Sequence, residues 1–295
     1  MRNILLLICL INSITIWGQT SIRLGAPSFL AESEKGLPEF NLKKTGPAKF
    51  RFDSAYIYPR ITLQLGAGIM FSDREAQLNS GISTGTKLDL EDDLGLKSSQ
   101  VIPRVNVIFR LSRLSRIYFD FYSARGKDSK NIEKDITFGS AFFPTGTSVS
   151  TKMSAYNFHL AYAHSFINRK KFDFGGLLGV SAIDYSLKLE GGPVSDKGST
   201  LFFFPHIGAD ASVFITKRFF FRGVVKFSAS PIDNYDFTVL SIKPYVEYYF
   251  TDNIGAGVRY HYNYSKADQL SKDKFDGNFG FNFHQVALFV SFRFF

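Results

Sequence analysis

The chain has 295 residues, a net charge of +9, and 45% hydrophobic and 16% aromatic side chains, with 33 Phe and 14 Tyr against one Trp and three Met. That content is too apolar for a disordered chain and leans toward strands rather than helices. The single cysteine excludes an internal disulfide and a cysteine-built zinc site. A mean hydropathy of −0.03, with no run of about 18 apolar side chains after the first twenty residues, argues against a helical membrane protein. A soluble β protein and a membrane β-barrel remain.

The N-terminus reads as an export signal. Arg2 is the charged start, Ile4 to Ile11 the apolar stretch, and Gly18 the small residue before a cut at Gln19, so residues 1–18 are expected to be a cleaved signal peptide. Asn12, Ser13 and Thr15 interrupt it too early for an anchor, and Ile8 before Cys9 departs from a lipobox. Residues 19–55, with Pro27, Pro38 and Pro47, are expected to form a periplasmic tail or partial plug.

From Ile61 onward the chain counts in twos. Ile61, Leu63, Leu65, Ala67, Ile69 and Phe71 alternate with Thr62, Gln64, Gly66, Gly68 and Ser72, and only Met70 breaks the pattern. Val105, Val107, Phe109 and Leu111 follow against Arg104, Asn106 and Arg110; then Ile117, Phe119 and Phe121 against Tyr118, Asp120 and Tyr122. Further copies are centred on 158–162, 174–180, 207–213, 219–227, 240–250, 254–264 and 286–294, which makes ten strands.

The connectors between them alternate in length. Short ones fall at 112–115, 167–171, 216–218 and 251–253; longer ones at 73–100, 124–153, 189–200, 230–236 and 266–278. Short turns on one side and long loops on the other fit an all-β, up-and-down antiparallel transmembrane barrel, residues 56–295, with twelve strands as the alternative to ten. The segments 132–143 and 147–153 read as a further hairpin extending the third and fourth strands. A soluble sandwich would have shorter strands of about five or six residues. Aromatics at Tyr56, Tyr58, 219–221, 248–250, 260–264 and 292–295 read as interfacial girdles.

Val286, Leu288, Val290, Phe292 and Phe294 alternate to the end of the chain, with Phe295 on the other parity. This ending resembles the C-terminal assembly signal of bacterial outer-membrane β-barrel proteins. The resemblance implies location in the bacterial outer membrane and recognition by the barrel-assembly machinery. The acidic stretch from Gly85 to Leu96, ending Asp93-Leu94-Gly95-Leu96, is similar to one that follows the first strand in uncharacterised Gram-negative barrels.

On this alternation the lumen is expected to hold Arg104, Arg110, Arg222, Lys226, Lys243 and Arg259 with Asp120, Asp173, Asp210 and Glu247. Such charges either pair as a plug or line a narrow, anion-preferring pore. His159, His206 and His261 share that parity, and Asp210 lies on the face of His206, so a metal or catalytic cluster is weighed against plain interior histidines. Omptin-like proteases would bring an Asp-x-His, which is missing, and no Ser-His motif of the outer-membrane lipases is found, His284 beside Asn282 being no signature. Asp89, Glu91, Asp92 and Asp93 lack calcium-loop spacing and read as a solvated loop. The glycine pairs 66/68 and 255/257 read as close packing rather than a nucleotide loop.

Arg113, Arg116, Arg169 to Lys171, Lys217 and Arg218 are expected in periplasmic turns beside lipid phosphates. Outer-membrane lipids and lipopolysaccharide are the expected partners; nucleic acid is not. The expected role is a non-catalytic, porin-like narrow pore or a structural and surface-interaction protein, without catalytic, cofactor or metal residues. An outer-rim lipid or peptide hydrolase is the alternative.

Overall fold

The computed structural model describes residues 59–80, 84–232, 235–272 and 275–295. The expected signal peptide and tail, and the aromatics Tyr56 and Tyr58, lie outside the described residues.

Ten long strands form the wall: β1 (Ile61–Leu78), β3 (Ser99–Arg110), β4 (Ser115–Asn131), β7 (Ser148–Asn168), β8 (Phe172–Gly191), β9 (Val194–Phe214), β10 (Phe219–Ile232), β11 (Tyr235–Tyr249), β12 (Ile254–Lys272) and β13 (Phe275–Phe294). Three short ones, β2 (Leu88–Asp89), β5 (Ile136–Phe138) and β6 (Ala141–Phe143), lie in the connections. Each long strand pairs antiparallel with the next, and β13 returns to β1 from Ile61↔Phe294 to Leu78↔Gly277. The chain is therefore a closed ten-stranded antiparallel barrel, and the twelve-strand alternative is overturned.

The four short turns stand as expected, at one end, which also holds the start of β1 and the end of β13. Three of the expected long connectors do not. Segment 189–200 is strand almost throughout, reversing at Gly192, whose φ of +57° suits a residue without a side chain. At every described residue, segment 230–236 is likewise taken up by β10 and β11, and segment 266–278 by β12 and β13. The expected extension over 132–153 is also corrected. β4 and β7 lengthen themselves, pairing as far as Asn131↔Ser148, while β5 and β6 make a separate hairpin.

The wall has two storeys that differ in which face is apolar. In the lower storey, nearer the short turns, the apolar set points out: Leu65, Ile69, Leu178, Ile207, Val258, Val286 and Leu288 are all exposed. Higher up the phase inverts. On β8, Ile183, Tyr185, Leu187 and Leu189 are buried inside while Asp184, Ser186, Lys188 and Glu190 occupy the other face. On β13 the change falls at Gln285, above which Phe279, Phe281 and Phe283 point inward. On β1 it falls at Met70, and Asp73, Glu75 and Gln77 follow on the outer face. Met70 breaks the sequence alternation because it begins the inner apolar face. The lower storey is built for an apolar surrounding, and the upper one for water outside and a dry core within.

Aromatics at the turn end split by the same parity. Phe221, Tyr248, Phe250 and Phe294 are exposed on the outer face, whereas Phe220 and Tyr249 turn inward and stack at 6.0 Å, so only alternate members of the expected girdle face outward. The glycine pairs do serve close packing. A Cβ on Gly257 would stand 2.4 Å from the Phe289 ring, and one on Gly66 would stand 2.7 Å from the Phe289 Cβ.

Candidate functional site in the lumen

The lumen is filled in layers. At the top, the segment between β1 and β3 and the β5–β6 hairpin fold inward as a lid. The Leu90 amide donates to the Arg74 carbonyl at 2.9 Å, Gly139 to Leu78 at 3.0 Å, and Thr86 to Thr137 at 2.8 Å. The lid carries Leu88, Leu90, Leu94, Leu96, Ile132, Ile136, Phe138 and Phe143, which share one buried cluster with Tyr185, Phe202, Phe204, Phe237, Phe279, Phe281 and Phe283 from the wall.

The acidic run within this lid is only partly solvated: Asp92 is exposed, while the carboxylates of Asp89, Glu91 and Asp93 bond within the lid and to the wall. Asp89 accepts from the amides of Glu91 and Asp92 at 2.9 and 2.7 Å, Asp93 accepts from the Asp89 amide at 2.9 Å, and Lys134 bonds Asp93 at 2.7 Å. Glu91 is turned inward onto Arg74, whose Nε donates at 2.6 Å.

The middle layer holds most of the expected lumen residues. Asp120 pairs with Lys243 at 2.5 Å and with Arg104 at 3.5 Å. Arg104 Nη2 donates to His261 Nδ1 at 2.7 Å, so the ring proton sits on Nε2 and is donated to Ser241 Oγ at 2.9 Å. Ser181 Oγ lies between His159 Nδ1 at 2.5 Å and His206 Nδ1 at 3.0 Å. Lys226, Lys243, His159, His206, Tyr118 and Arg259 are among the groups around a cavity of about 30 Å³. Gln64 ties Arg259 to Glu247, donating to Glu247 at 3.2 Å and accepting from Arg259.

The lower layer was only half expected. Asp210 does not pair with His206; it receives Arg116 at 2.5 Å and the Tyr118 hydroxyl at 2.7 Å. Arg116, assigned to a lipid-facing turn, is fully buried in the lumen and also reaches Asp173 at 3.5 Å and Ser165 at 2.6 Å. Its even-numbered parity with Tyr118, Asp120 and Tyr122 carried that signal. Arg222 donates to Ser212 at 2.6 Å. Arg110 lies at the rim with Lys217, Arg218, Arg222 and Arg293 around a mouth of about 120 Å³ that opens at the turn end. Arg293, which sequence reasoning passed over, lies 3.2 Å from the Tyr249 ring centroid. Arg74 and Gln64 were missed as well.

The histidines are not brought into one centre. His159 and His206 share Ser181, while His261 sits across Tyr122, whose ring lies 5.8 Å from His159 and 5.7 Å from His261. No group of three metal-ligating side chains occurs among the described residues. A serine between two imidazoles has the elements of a nucleophile and base, yet the cavity beside it holds about one water and has no room for a scissile bond. His284, on the outer face of β13, bonds Tyr260 at 2.6 Å and joins no such centre.

No family model matches the chain, and no curated protein is similar to it. Among solved structures, the chain is similar to Ail, the attachment invasion locus protein of Yersinia pestis, at 10% identity over 81% of this chain and 100% of that one, with a TM-score of 0.34. It is similar to Neisserial surface protein A at 13% identity, over 79% and 97%, with a TM-score of 0.33. The translocator domain of autotransporter NalP from Neisseria meningitidis gives 9% identity, over 81% and 90%, with a TM-score of 0.42. All three TM-scores lie below 0.5.

Proposed function

We propose that the protein resides in the bacterial outer membrane as a non-catalytic, side-chain-filled barrel that acts through its outer wall and lid, as a structural or surface-interaction protein. The observation that carries this reading is the apolar cluster across the upper lumen, where lid residues Leu90, Leu94, Ile136 and Phe138 meet Phe204, Phe281 and Phe283. Such a dry plug opposes ion passage, since a charge crossing it would lose its hydration without gaining partners. The exposed apolar belt of the lower storey supports membrane residence. Export through residues 1–18 and recognition of β13 by the assembly machinery belong to the same proposal. The narrow-pore reading would need the lid to leave the upper lumen.

Single-channel current through refolded residues 19–295 in a planar bilayer tests this, with folding verified by heat-modifiable gel mobility. A folded, silent barrel is expected. Stable conductance steps from the wild-type chain would overturn the reading and make the lumen charges selectivity determinants.

A further inference from the structure

β4, β7, β8 and β9 rise together above the lower storey, and one register row crosses all four. Lys127 stands opposite Lys152, Lys152 opposite Lys188, and Lys188 opposite Lys197. Lys127, Lys152 and Lys197 are exposed and Lys188 half-buried. Like charges directly across a sheet repel, with Cβ atoms only about 5 Å apart, so four in a row carry a stability cost that no internal contact offsets in full. Glu190, one row nearer the tip, bonds Lys152 at 2.8 Å and Lys188 at 2.5 Å. The ammonium groups of Lys127 and Lys197 have no ion-pair partner among the described residues.

The rows beneath place this ladder relative to the belt. One row down, Arg125 stands opposite Ser154, then Ser186 and Ser199, with its guanidinium 5.1 Å from the Tyr156 ring centroid. The next row is mixed, with Ser123, Tyr156, Asp184 and Leu201; the one below it is apolar, with Phe121, Phe158, Ala182 and Phe203. Rows are about 7 Å apart along a strand. At a tilt of about 45°, each residue of the serine and lysine rows stands roughly 10 and 14 Å higher than the apolar-row residue of its own strand.

We infer that the Lys127–Lys152–Lys188–Lys197 row, with Arg125 and the serine row below it, is a binding surface for the phosphorylated headgroup of an outer-leaflet glycolipid of the lipid A type. The inference rests on the outer-membrane reading and names a ligand and a site for it. Phosphates supply the charge the ladder lacks, serine hydroxyls donate to their oxygens, and the acyl chains run down the exposed belt directly beneath. Asp184, in the mixed row, orients the site by repelling phosphates from the lowest level.

The test uses the refolded chain in phosphatidylcholine vesicles, alone or doped with bisphosphorylated or dephosphorylated lipid A. Heat-modifiable mobility gives the unfolding midpoint, and a fluorescent lipid A gives binding. The bisphosphorylated lipid alone is expected to raise the midpoint. A K127Q/K152Q/K188Q/K197Q variant is expected to bind it at least about tenfold more weakly, while the corresponding four-arginine variant, matched in charge, retains binding. Equal binding by the glutamine variant would overturn the inference. So would equal effects of the two lipids, or competition by inorganic phosphate or a soluble sulfated polysaccharide. A wild-type chain that fails to insert into plain phosphatidylcholine would sink the membrane reading and this site with it; insertion without lipid discrimination would sink the site alone.

Discussion

Arg74 Nε donates to Glu91 Oε1 at 2.6 Å, and the same guanidinium reaches the Lys97 carbonyl at 2.7 Å through Nη2. One side chain on β1 thus ties both arms of the first lid loop to the wall. Burial pushes the Glu91 carboxyl above its usual value against the pull of Arg74. Removing the cation should therefore cost more than removing the anion's charge. Arg74→Met is expected to destabilise the lid by about 3 kcal/mol and Glu91→Gln by less. Hydrogen exchange at the Leu90 and Leu96 amides measures both, and equal loss of protection would count against this account.

The upper core should behave as a cavity-sensitive interior although it lies inside a barrel. Phe204→Ala and Phe281→Ala remove rings that are 2% exposed, and each is expected to lower stability by about 3–5 kcal/mol. Denaturant unfolding followed by gel mobility reads this. Brief current bursts are expected only in the double variant, where the plug has lost two rings.

Arg116 separates the lumen from the membrane surface as its home. Asp210→Ala leaves it buried beside Asp173 at 3.5 Å without its nearer partner, a loss of about 3–5 kcal/mol. Arg113→Ala, in the turn that follows β3, is expected to change stability by under about 0.5 kcal/mol. The comparison needs only two unfolding curves, and similar midpoints would place Arg116 outside the lumen.

Hydrogen bonds from Lys152 and Lys188 hold the Glu190 carboxyl down, at about 2. A lowered carboxylate contributes stability above its unfolded range, and that contribution is lost as pH falls from the ordinary carboxylate range toward 2. Glu190 is half-buried and open to water on one side, so salt screens the effect in part. Side-chain carbon shifts should titrate near the lowered value at low ionic strength and move up in molar salt or in Lys152→Gln; a midpoint unaffected by either would refute the assignment.

Topology is open to proteolysis. A protease site inserted after Gly192, in the turn between β8 and β9, is expected to be cut on intact cells. One at Lys170, in a short turn, should be protected until the envelope is opened. Reversed cutting would invert the barrel.

Strand number, closure and turn end were readable because period-two alternation is local chemistry and a short turn announces itself by its flanking strands. The lumen polar set was readable wherever the outer neighbours were apolar. What failed lay where the surroundings change. Above Gln285 a period of two continues but its apolar phase inverts, so that Phe279, Phe281 and Phe283 face inward, and no single residue states that the solvent outside has become water. Arg116 was misplaced for a related reason, since a cation next to a turn looks solvated until its strand partners are known.

The seam between β1 and β13 joins residues about 200 or more positions apart in the chain, as in the Asn278–Gln77 bond, whose ends are 201 positions apart. Bringing such distant segments together costs loop-closure entropy unless the intervening hairpins pair first, so closure of the seam is expected late in assembly. Until then the sheet has two raw edges, each able to capture a strand from another chain. Gly66 and Gly68 narrow the choice. A Cβ at either would lie within 2.4 Å of a β13 carbonyl oxygen, so a slipped pairing that set bulkier β1 residues against those carbonyls would clash. The two glycines serve as a key cut for a single lock, and the chain zips shut in one register.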